Sequence, residues 1–293
     1  MLLDLTIAIP VKNEEVNLAG CLKAIGTDFA AKILIIDSGS TDGTQAIAED
    51  HGVEVIDFKW DGQFPKKRNW YLRNHPPQTK WVLFLDADEY LTTDFKNELK
   101  DVLLRDEKEV DGYWLNYTIY FMGEILKGGY PLNKLALFRV GAGEYERIDE
   151  ERWSNLDMEI HEHPLLKGKT KKIRSKIDHQ DFRGITHYVN KHNEYAAWEA
   201  ARFLKTMDDP AIKKLFTLKQ KLKYRLMRSV LVGPVYFLGS FVLLGGFRDG
   251  KRGLAFSILK MAYFNQIYCY IQERSQLILT ENSLKGISDK HNL

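Results

Sequence analysis

The sequence contains only two cysteines, Cys21 and Cys269, among its 293 residues. They lie far apart and in no ligand-like spacing, so neither a disulfide framework nor a cysteine-based zinc site is expected. The chain also lacks the Gly-x-x-x-x-Gly-Lys loop of P-loop NTPases and the Gly-x-Gly-x-x-Gly turn of dinucleotide enzymes, which disfavours both classes. No basic-then-apolar leader opens the sequence, and we therefore expect a cytoplasmic compartment.

Charge is distributed unevenly along the chain. The formal net charge is only +2, yet residues 211–253 contain ten basic residues and a single acidic one, Asp249. A basic segment on a more acidic body indicates an anionic partner surface, and both nucleic acid and phospholipid fit that description at this point. Hydrophobic residues make up 44% of the chain, which is enough for a sizeable core.

Short apolar runs alternate with helical patterns in the first third of the sequence. The runs at residues 5–9, 32–36, 53–56 and 81–85 are typical of buried strands. Helices are predicted at residues 14–24, with Val16 facing inward, at 44–51 and at 66–74. This order predicts an α/β fold with a mostly parallel sheet covered by helices on both faces. Ligands of such sheets bind beyond the carboxyl ends of the strands.

Two carboxylates, Asp86 and Asp88, directly follow the apolar run at residues 81–85. Separated by one residue at the end of a buried strand, they can share a hard divalent cation such as Mg²⁺ or Mn²⁺, which prefers oxygen ligands. Such a cation would neutralise a diphosphate leaving group. The alternative is an ordinary strand-ending turn, in which aspartate is common.

A second polar loop follows the run at residues 32–36 and begins at Asp37. Its glycines and small polar residues allow a ligand to approach the backbone closely, and Asp37 can accept hydrogen bonds from a base or ribose. The loop can equally serve as a strand-to-helix connection in which Thr41 or Asp42 caps the next helix.

Three segments together resemble family-2 glycosyltransferases with the GT-A fold: Thr-Ile-Ala-Ile-Pro-Val-Lys-Asn-Glu-Glu at 6–15, Ile-Asp-Ser-Gly-Ser-Thr-Asp-Gly-Thr at 36–44, and Leu-Asp-Ala-Asp-Glu at 85–89. The resemblance implies that Asp37 binds uracil or ribose and that Asp88 holds the metal with Asp86 nearby. It further implies that the nucleotide pocket is lined by Pro10, Glu14 and one of the basic residues Lys67 and Arg68, although a basic cluster can also be a solvated helix face.

An inverting enzyme of this kind needs a carboxylate that takes the acceptor proton. The candidates lie in residues 155–164, with Glu162 preferred, Glu159 second and Asp157 third. Relatives that make cell-surface glycans carry a similar His-Glu pair here, in place of the family's commoner Glu-Asp pair. His179 resembles a late histidine that joins the metal in some GT-A enzymes.

The segment at residues 230–247 is uncharged, rich in aromatic and aliphatic side chains, and flanked by basic residues. This pattern favours an anchor at the membrane interface, with a helical pair packed on the catalytic domain as the alternative. Residues 245–253 also resemble the tail of bacterial lipopolysaccharide-core glucosyltransferases.

Together these features predict a GT-A catalytic domain at residues 1–185 and a helical, basic, membrane-facing extension at 186–293. Within the catalytic domain, residues 1–110 would bind the nucleotide sugar and 111–185 the acceptor. The expected reaction transfers a sugar from a UDP-sugar, with UDP-glucose as first choice, to a hydroxyl of a lipid-linked glycan such as lipopolysaccharide core. It would take place at the inner face of the plasma membrane, without nucleic acid. The alternatives are a polyprenyl-phosphate sugar transferase, a sugar-1-phosphate nucleotidyltransferase and a non-catalytic binding module.

Overall fold

The computed structural model describes residues 2–129, 131–147, 156–159, 163–208 and 218–291. The chain divides into two compact units. The sheet unit comprises Met1–Ile125 and Pro131–Arg183, and the helical unit comprises Leu126–Tyr130 and Gly184–Leu293. The short segment 126–130 therefore belongs with the helices, although the chain on either side of it belongs to the sheet unit.

The sheet unit is built on one large mixed sheet. In chain order its described strands are β1 (Leu3–Val11), β2 (Ala30–Asp37), β3 (Glu54–Asp57), β4 (Trp81–Phe84), β5 (Glu89–Tyr90), β6 (Val110–Phe121), β7 (Glu124–Ile125), β8 (Asn133–Arg139), β9 (Gly143–Tyr145), β10 (Pro164–Leu166) and β11 (Lys169–His179). The order across the sheet is β3-β2-β1-β4-β8-β6-β11-β5, with β7 paired to β6 and with β9 and β10 forming a separate pair.

The first four strands of this sheet are mutually parallel. Strand β8 is antiparallel to both β4 and β6, so β6 and its parallel neighbour β11 run in the same direction as the first four. Six strands thus share one direction, and the short β5 runs against β11 at the edge. This confirms the α/β fold class with a mostly parallel sheet.

Strand β1 continues past Pro10, where the sequence pattern placed its end. Pro10 pairs with Ile36 of β2, whereas the pairing of β1 with β4 stops at Ala8. Beyond Ala8, β1 therefore has a strand neighbour on the β2 side alone, and a residue that lacks a backbone N–H is tolerated there. The extension brings Val11 level with Asp37, so the two strands end together.

Helices cover both faces of the sheet, because the strands bury side chains on both. The helices of this unit are α1 (Leu18–Ile25), α2 (Thr44–Asp50), α3 (Lys67–Asn74) and α4 (Thr93–Arg105). Leu22, Ala48 and Phe95, from α1, α2 and α4, join the core on one face, and Tyr71 of α3 packs on the other. Helix α1 begins four residues later than predicted, and Val16 is 52% exposed instead of facing inward.

The helical unit is formed by α5 (Gly184–Asp208), α6 (Leu218–Met227), α7 (Val232–Leu238) and the long α8 (Gly250–His291). A short π-helical turn (Gly239–Leu243) and a 3₁₀ turn (Gly246–Asp249) connect α7 to α8. Phe203 of α5, Met227 of α6 and Ile267 of α8 meet in one apolar core. None of the helices within the described ranges is both long enough and apolar enough to cross a bilayer.

The segment 126–130 is fixed by the connection between α7 and α8. Both carboxylate oxygens of Asp249 accept hydrogen bonds from backbone amides, one from Lys127 at 2.8 Å and one from Gly128 at 2.9 Å. The amide of Gly129 donates to the carbonyl of Leu244 at 2.9 Å. A Cβ atom at Gly128 would overlap the backbone of Gly245, so the glycine permits this close approach.

Candidate functional site

The loops that follow β1 and β2 are joined to each other by hydrogen bonds. The amide of Thr41 donates to Oδ1 of Asn13 at 2.8 Å, and the amide of Glu14 donates to Oγ1 of Thr44 at 2.8 Å. Asn13 adopts a left-handed backbone conformation, with φ of 56°, which asparagine tolerates better than most residues. These contacts build a fixed rim at the carboxyl ends of the parallel strands, where ligands of such sheets bind.

Asp88 and His179 are brought together by the pairing of β5 with the end of β11. His179 lies opposite Glu89 in this antiparallel ladder, and the amide of Gln180 donates to the carbonyl of Asp88 at 2.9 Å. As a result, Nε2 of His179 lies 3.6 Å from Oδ2 of Asp88, whose side chain is 4% exposed. An oxygen donor and a nitrogen donor therefore converge at one point.

Asp86 has different partners from those of Asp88. Its Oδ1 accepts from Arg68 at 2.8 Å and its Oδ2 from Lys134 at 2.6 Å. Lys134 also donates to the buried carboxylate of Glu89 at 2.5 Å. Among the side chains that the structure describes, no three carboxylate, imidazole or thiol groups form a metal-binding set. Of the three predicted metal ligands, the structure brings Asp88 and His179 together and holds Asp86 between two cations.

The charges around Lys134 shift the pKa values of the cluster. Burial raises the pKa of Glu89 to about 7, with Asp86 and Asp88 adding to the increase and Lys134 opposing it. Burial lowers the pKa of Lys134, but the neighbouring Asp86 and Glu89 more than offset it, so this pKa lies well above its ordinary value. Lys134 is consequently charged across the physiological range and holds the negative cluster together.

Arg183 connects three acidic residues at the edge of the same site. It pairs with both oxygens of Asp181, at 2.8 and 2.7 Å, and its Nη1 donates to Glu14 at 2.7 Å. Its Nη2 lies 3.9 Å from Oδ2 of Asp88. Burial raises the pKa of Asp181, but the hydrogen bonds from Arg183 outweigh it and hold that pKa well below its usual range. Glu14 is thus oriented toward the site by a fixed cation.

Asp37 is fully buried at the end of β2 and is bonded within its own loop. Its carboxylate accepts hydrogen bonds from the Ser40 amide at 3.0 and 3.1 Å and from the Ser40 hydroxyl at 2.6 Å. Nε2 of Gln45 donates to it at 2.7 Å. The side chain therefore fixes the conformation of the loop that begins with Ser38 and Gly39.

An open cleft lies beyond the carboxyl ends of β1, β2 and β3. It has a volume of about 440 Å³ and is lined by Lys12, Ser38, Gly39, Asp57, Phe58, Lys59, Trp60 and Asp157. The lining combines two aromatic rings, two lysines and two carboxylates with the loop that Asp37 fixes. A planar aromatic ligand with polar edges and an anionic group suits this composition.

Lys67 and Arg68 lie at the start of α3 and are both buried. Nζ of Lys67 donates to the carbonyl of Val11 at 2.8 Å and lies 3.3 Å from the carboxylate of Asp157. Burial lowers the pKa of Lys67, and Asp157 partly offsets this. Arg68 bonds Asp86, as described, and the backbone carbonyl of Glu159. Both basic residues therefore connect the strand ends to the segment 156–159.

The described candidates for the general base have different hydrogen-bond and ion-pair partners. The carboxylate of Glu159 accepts from the amides of Arg68 and Asn69, each at 3.1 Å, and so caps the amino end of α3. Asp157 pairs with Lys67, whereas Glu162 lies outside the described residues. Pro10 is buried within β1, and its neighbour Val11 provides the carbonyl that Lys67 binds.

Sequence reasoning did not identify Lys134, Arg183 or Asp181 as site residues, and it included Glu89 in the motif at 85–89 without giving it a role. Arg183 and Asp181 follow His179 closely, so their nearness in sequence was an available signal. Lys134 lies in a strand without any motif, and its place beside Asp86 depends on the position of β8 between β4 and β6.

Comparison with known proteins agrees with the motifs. The sequence model of Glycosyl transferase family 2 matches residues 6–156, just over half of the chain. The chain belongs to glycosyl transferase family 2. This confirms the predicted class of enzyme, a glycosyltransferase.

Individual relatives extend the comparison. The chain is 26% identical over 262 residues to the lipopolysaccharide core biosynthesis glycosyltransferase LpsC of Rhizobium meliloti (strain 1021), covering 86% of this chain and 85% of that relative. It is 36% identical over 89 residues to the glycosyltransferase AglJ of Haloferax volcanii, covering 30% of this chain and 29% of AglJ.

Among solved structures, glucosyl-3-phosphoglycerate synthase from Mycobacterium tuberculosis, in complex with Mn²⁺ and UDP-glucose, is similar at 17% identity and a TM-score of 0.31. The match covers 41% of this chain and 44% of that one, so it spans less than half of the solved protein.

Proposed function

We propose that this glycosyltransferase moves a sugar, with inversion, from a UDP-sugar to a hydroxyl of a lipid-linked cell-surface glycan such as lipopolysaccharide core. The observation that carries the proposal is the convergence of Asp88 and His179 beside the rim formed by the loops after β1 and β2. The relation to LpsC over most of both chains supports the choice of acceptor class. Glucose is the first sugar to test.

The nucleotide is assigned to the cleft next to the loop that Asp37 fixes. The side chains of Phe58 and Trp60 can stack on a base, and Lys12 and Lys59 suit the charge of a diphosphate. Asp37 would act by holding the amides of its loop in position, since its own carboxylate is occupied by Ser40 and Gln45. Glu14, oriented by Arg183, faces the same strand ends.

A divalent cation, Mg²⁺ or Mn²⁺, fits the Asp88–His179 pair. Two ligands at 3.6 Å can occupy neighbouring positions on one ion, and such sites commonly leave the other positions to water and substrate phosphate. Imidazole together with carboxylate suits Mn²⁺. When bound, the cation would neutralise charge on the departing diphosphate. Arg183, which already lies near Asp88, adds a permanent positive charge at that position.

Glu162 remains the proposed base that takes the proton from the acceptor hydroxyl. Its rivals both have partners: Glu159 caps α3 through two backbone amides, and Asp157 pairs with Lys67. Although burial raises the pKa of Glu159, taking up a proton there would weaken the cap of α3, and protonation of Asp157 would break its ion pair with Lys67.

The helical unit supports a cytoplasmic location at the inner face of the plasma membrane. Lys221, Arg225 and Arg228, on and next to α6, are exposed, and cations near an anionic bilayer attract it electrostatically. Lys223 differs from them, because it pairs with Glu199 at 3.2 Å within the unit. We therefore count the three exposed cations, and not Lys223, toward the proposed peripheral attachment.

A UDP-release screen tests the proposal. Common UDP-sugars are supplied with Mn²⁺ or Mg²⁺ and with extracted glycolipid acceptors, and the product is identified by mass spectrometry. We expect release that depends on both acceptor and cation, with a glycoside as product. A lipid monophosphosugar product would instead indicate a polyprenyl-phosphate sugar transferase. Absence of transfer with every UDP-sugar, from protein that remains folded, would overturn the assignment of UDP as donor nucleotide.

A further inference from the structure

The outer side of α7 carries an apolar stripe instead of the polar face that a surface helix normally presents. Leu231, Val235, Leu238 and Val242 recur at intervals of four, three and four residues, and they are 58%, 45%, 55% and 51% exposed. This spacing places Leu231, Val235 and Leu238 on one side of α7, and Val242 follows in the π-helical turn. Leu243 and Phe247 in the following turns are 83% and 56% exposed. We call these six side chains the apolar ridge.

The opposite side of α7 packs tightly on α8. The ring of Tyr236 stacks on Phe264 with centroids 3.4 Å apart, and an added Cβ at Gly233 would overlap the side chain of Asn265. Further along, Ser240 and Ser257 share a buried hydrogen bond of 3.2 Å. Residue numbers increase along α7 and its following turn while those of their partners on α8 decrease. The two helices therefore form an antiparallel hairpin. The ridge faces away from this contact.

The backbone at the apex of the hairpin is hydrogen-bonded internally. The amide of Leu244 donates to the carbonyl of Gly239 at 2.8 Å, and that of Gly245 to Val242 at 3.2 Å. The carbonyl of Leu244 in turn accepts from Gly129. A surface that enters lipid must satisfy its backbone groups within the protein, because hydrocarbon offers them no partners. These three bonds satisfy backbone groups of the apex at the point where its exposed side chains are apolar.

The positive charges that flank the apolar ridge indicate which kind of partner it binds. No charged residue occurs at positions 229–247, and exposed cations stand at both ends, with Arg228 before the segment and Arg248 and Lys251 after it. The one acidic residue in the sequence segment 211–253, Asp249, accepts hydrogen bonds from two backbone amides. A two-fold contact with a second copy would bring these like charges together. An anionic lipid surface instead pairs with every cation and accepts the apolar side chains between them.

We infer that the apolar ridge inserts into the outer part of one lipid leaflet, with Arg228, Arg248 and Lys251 at the level of the anionic headgroups. This rests on the proposed membrane location and identifies the surface that makes the contact. Helix α7 has seven residues, which corresponds to about 10 Å of rise, and the chain then turns back into α8. At that length α7 cannot span the hydrocarbon core of about 30 Å, so the contact stays within one leaflet.

Vesicle co-sedimentation of the full chain tests this inference. The vesicles are phosphatidylcholine alone, or phosphatidylcholine mixed with phosphatidylglycerol, each at low and high salt. We expect binding to the anionic vesicles that weakens at high salt without disappearing, because salt screens charges but leaves apolar insertion intact. Val242→Glu combined with Leu243→Glu should lower the partition coefficient by about tenfold or more at both salt concentrations, because charges enter hydrocarbon poorly.

Two matched variants separate insertion from other causes. Leu104→Glu places one charge on an exposed leucine of α4, 65% exposed and in the sheet unit, and should bind vesicles like the unmodified protein. Replacing Lys221 and Arg225 by Gln should remove part of the anionic preference and leave the salt-resistant part. All three variants change exposed side chains and should keep the melting temperature.

Three results would overturn the inference. The first is equal vesicle binding by the Val242→Glu/Leu243→Glu protein and the unmodified protein. Electrostatic attraction would then account for the binding without insertion of the ridge. The second is no binding of the unmodified protein to either vesicle. The third is a lipid-free dimer, seen by sedimentation velocity, that the double substitution dissociates, which would assign the ridge to a second copy. Because none of these assays requires sugar transfer, failure of the ridge and failure of the transferase proposal are read separately.

Discussion

Nζ of Lys134, in the middle of the chain, lies 2.6 Å from Oδ2 of Asp86, in the motif that follows β4. The same ammonium group bonds Glu89, whose side chain is 1% exposed. One cation from β8 therefore pairs with two carboxylates of the segment 85–89, and one of these, Glu89, is buried.

Lys134→Met should lower the free energy of unfolding by about 3–5 kcal/mol, because it leaves a buried carboxylate without its counter-ion. Urea denaturation gives the value. Lys134→Met combined with Glu89→Gln should recover part of the loss. Lys32→Met, which breaks an exposed pair with Glu54, should cost less than about 1 kcal/mol. Equal losses in the free energy of unfolding for Lys134→Met and Lys32→Met would contradict the prediction that Lys134 compensates a buried charge.

Asp88→Asn should reduce kcat/KM for sugar transfer by about 10²–10⁴-fold, which corresponds to several kcal/mol of lost stabilisation of the diphosphate charge. Titration with Mn²⁺ followed by electron paramagnetic resonance should show weaker metal binding by the same variant. Asp50→Asn, on the exposed side of α2, is the control. Turnover that survives both Asp88→Asn and EDTA would show that the enzyme works without this metal.

Asp37→Ala should weaken UDP binding by about 1–3 kcal/mol, the range for lost hydrogen bonds to a charged group. The expected cause is the release of the loop, since Ser40 and Gln45 lose their shared acceptor. Gln45→Ala removes one of these bonds and should have a smaller effect. Calorimetry with UDP measures both, and unchanged affinity in a folded Asp37→Ala protein would remove this loop from the nucleotide site.

Glu162→Gln should lower kcat by about 10²–10⁴-fold while donor binding persists, because the substitution keeps the size of the side chain and removes the base. Glu159→Gln should instead lower the melting temperature, since it weakens the cap of α3. Single-turnover kinetics and thermal melts of the two proteins separate the roles. A near-normal kcat for Glu162→Gln would transfer the role of base to Glu159 or Asp157.

Asp106 should make stability depend on acid pH. Hydrogen bonds from Lys108, then Lys80 and Arg139, hold its pKa well below the ordinary value. Its ionised form therefore stabilises the fold above pH of about 4, and this contribution is lost as pH falls further. Asp106 has φ of 46°, which asparagine tolerates.

The melting temperature of Asp106→Asn should thus decline less between pH 5 and pH 3 than that of the unmodified protein. Asp101→Asn, which removes an exposed carboxylate of α4, is the matched control. If the melting temperatures of Asp106→Asn and the unmodified protein decline in parallel with falling pH, Asp106 does not contribute to the acid dependence of stability.

The strands, the polar turns after them and the family were predictable because their signals are local. Asp37, for example, ends an apolar run and bonds residues within eight positions of itself. The partners of Asp86 were not predictable in this way. Lys134 is 48 residues away. It reaches Asp86 because β8 lies antiparallel between β4 and β6 in the sheet, and the hydrophobic periodicity of the sequence does not predict this strand order.

The start of α1 and the exposure of Val16 show a different limit. The apolar spacing extends the helix pattern back to residue 14. The amides of Glu14 and Glu15 and the carboxylate of Glu15 instead join the loops after β1 and β2. Tertiary hydrogen bonds therefore displaced the helix start by one turn. The contacts of Asp86 with Lys134 and of Glu14 with Arg183 depend on residues distant in sequence, which no local pattern reveals.

The hydrogen bonds from Lys127 and Gly128 to Asp249 restrict how the two units of this protein can be recombined with those of other proteins. The chain enters the helical unit once as a five-residue excursion and again for its final third, so no single cut in the sequence separates the two units. A recombination at one point near residue 184 would pair the carboxylate with a foreign loop, and the glycine at position 128 would lose the backbone it was shaped to meet. Exchange of the helical part alone should therefore weaken this contact and lower the stability of the recombined protein.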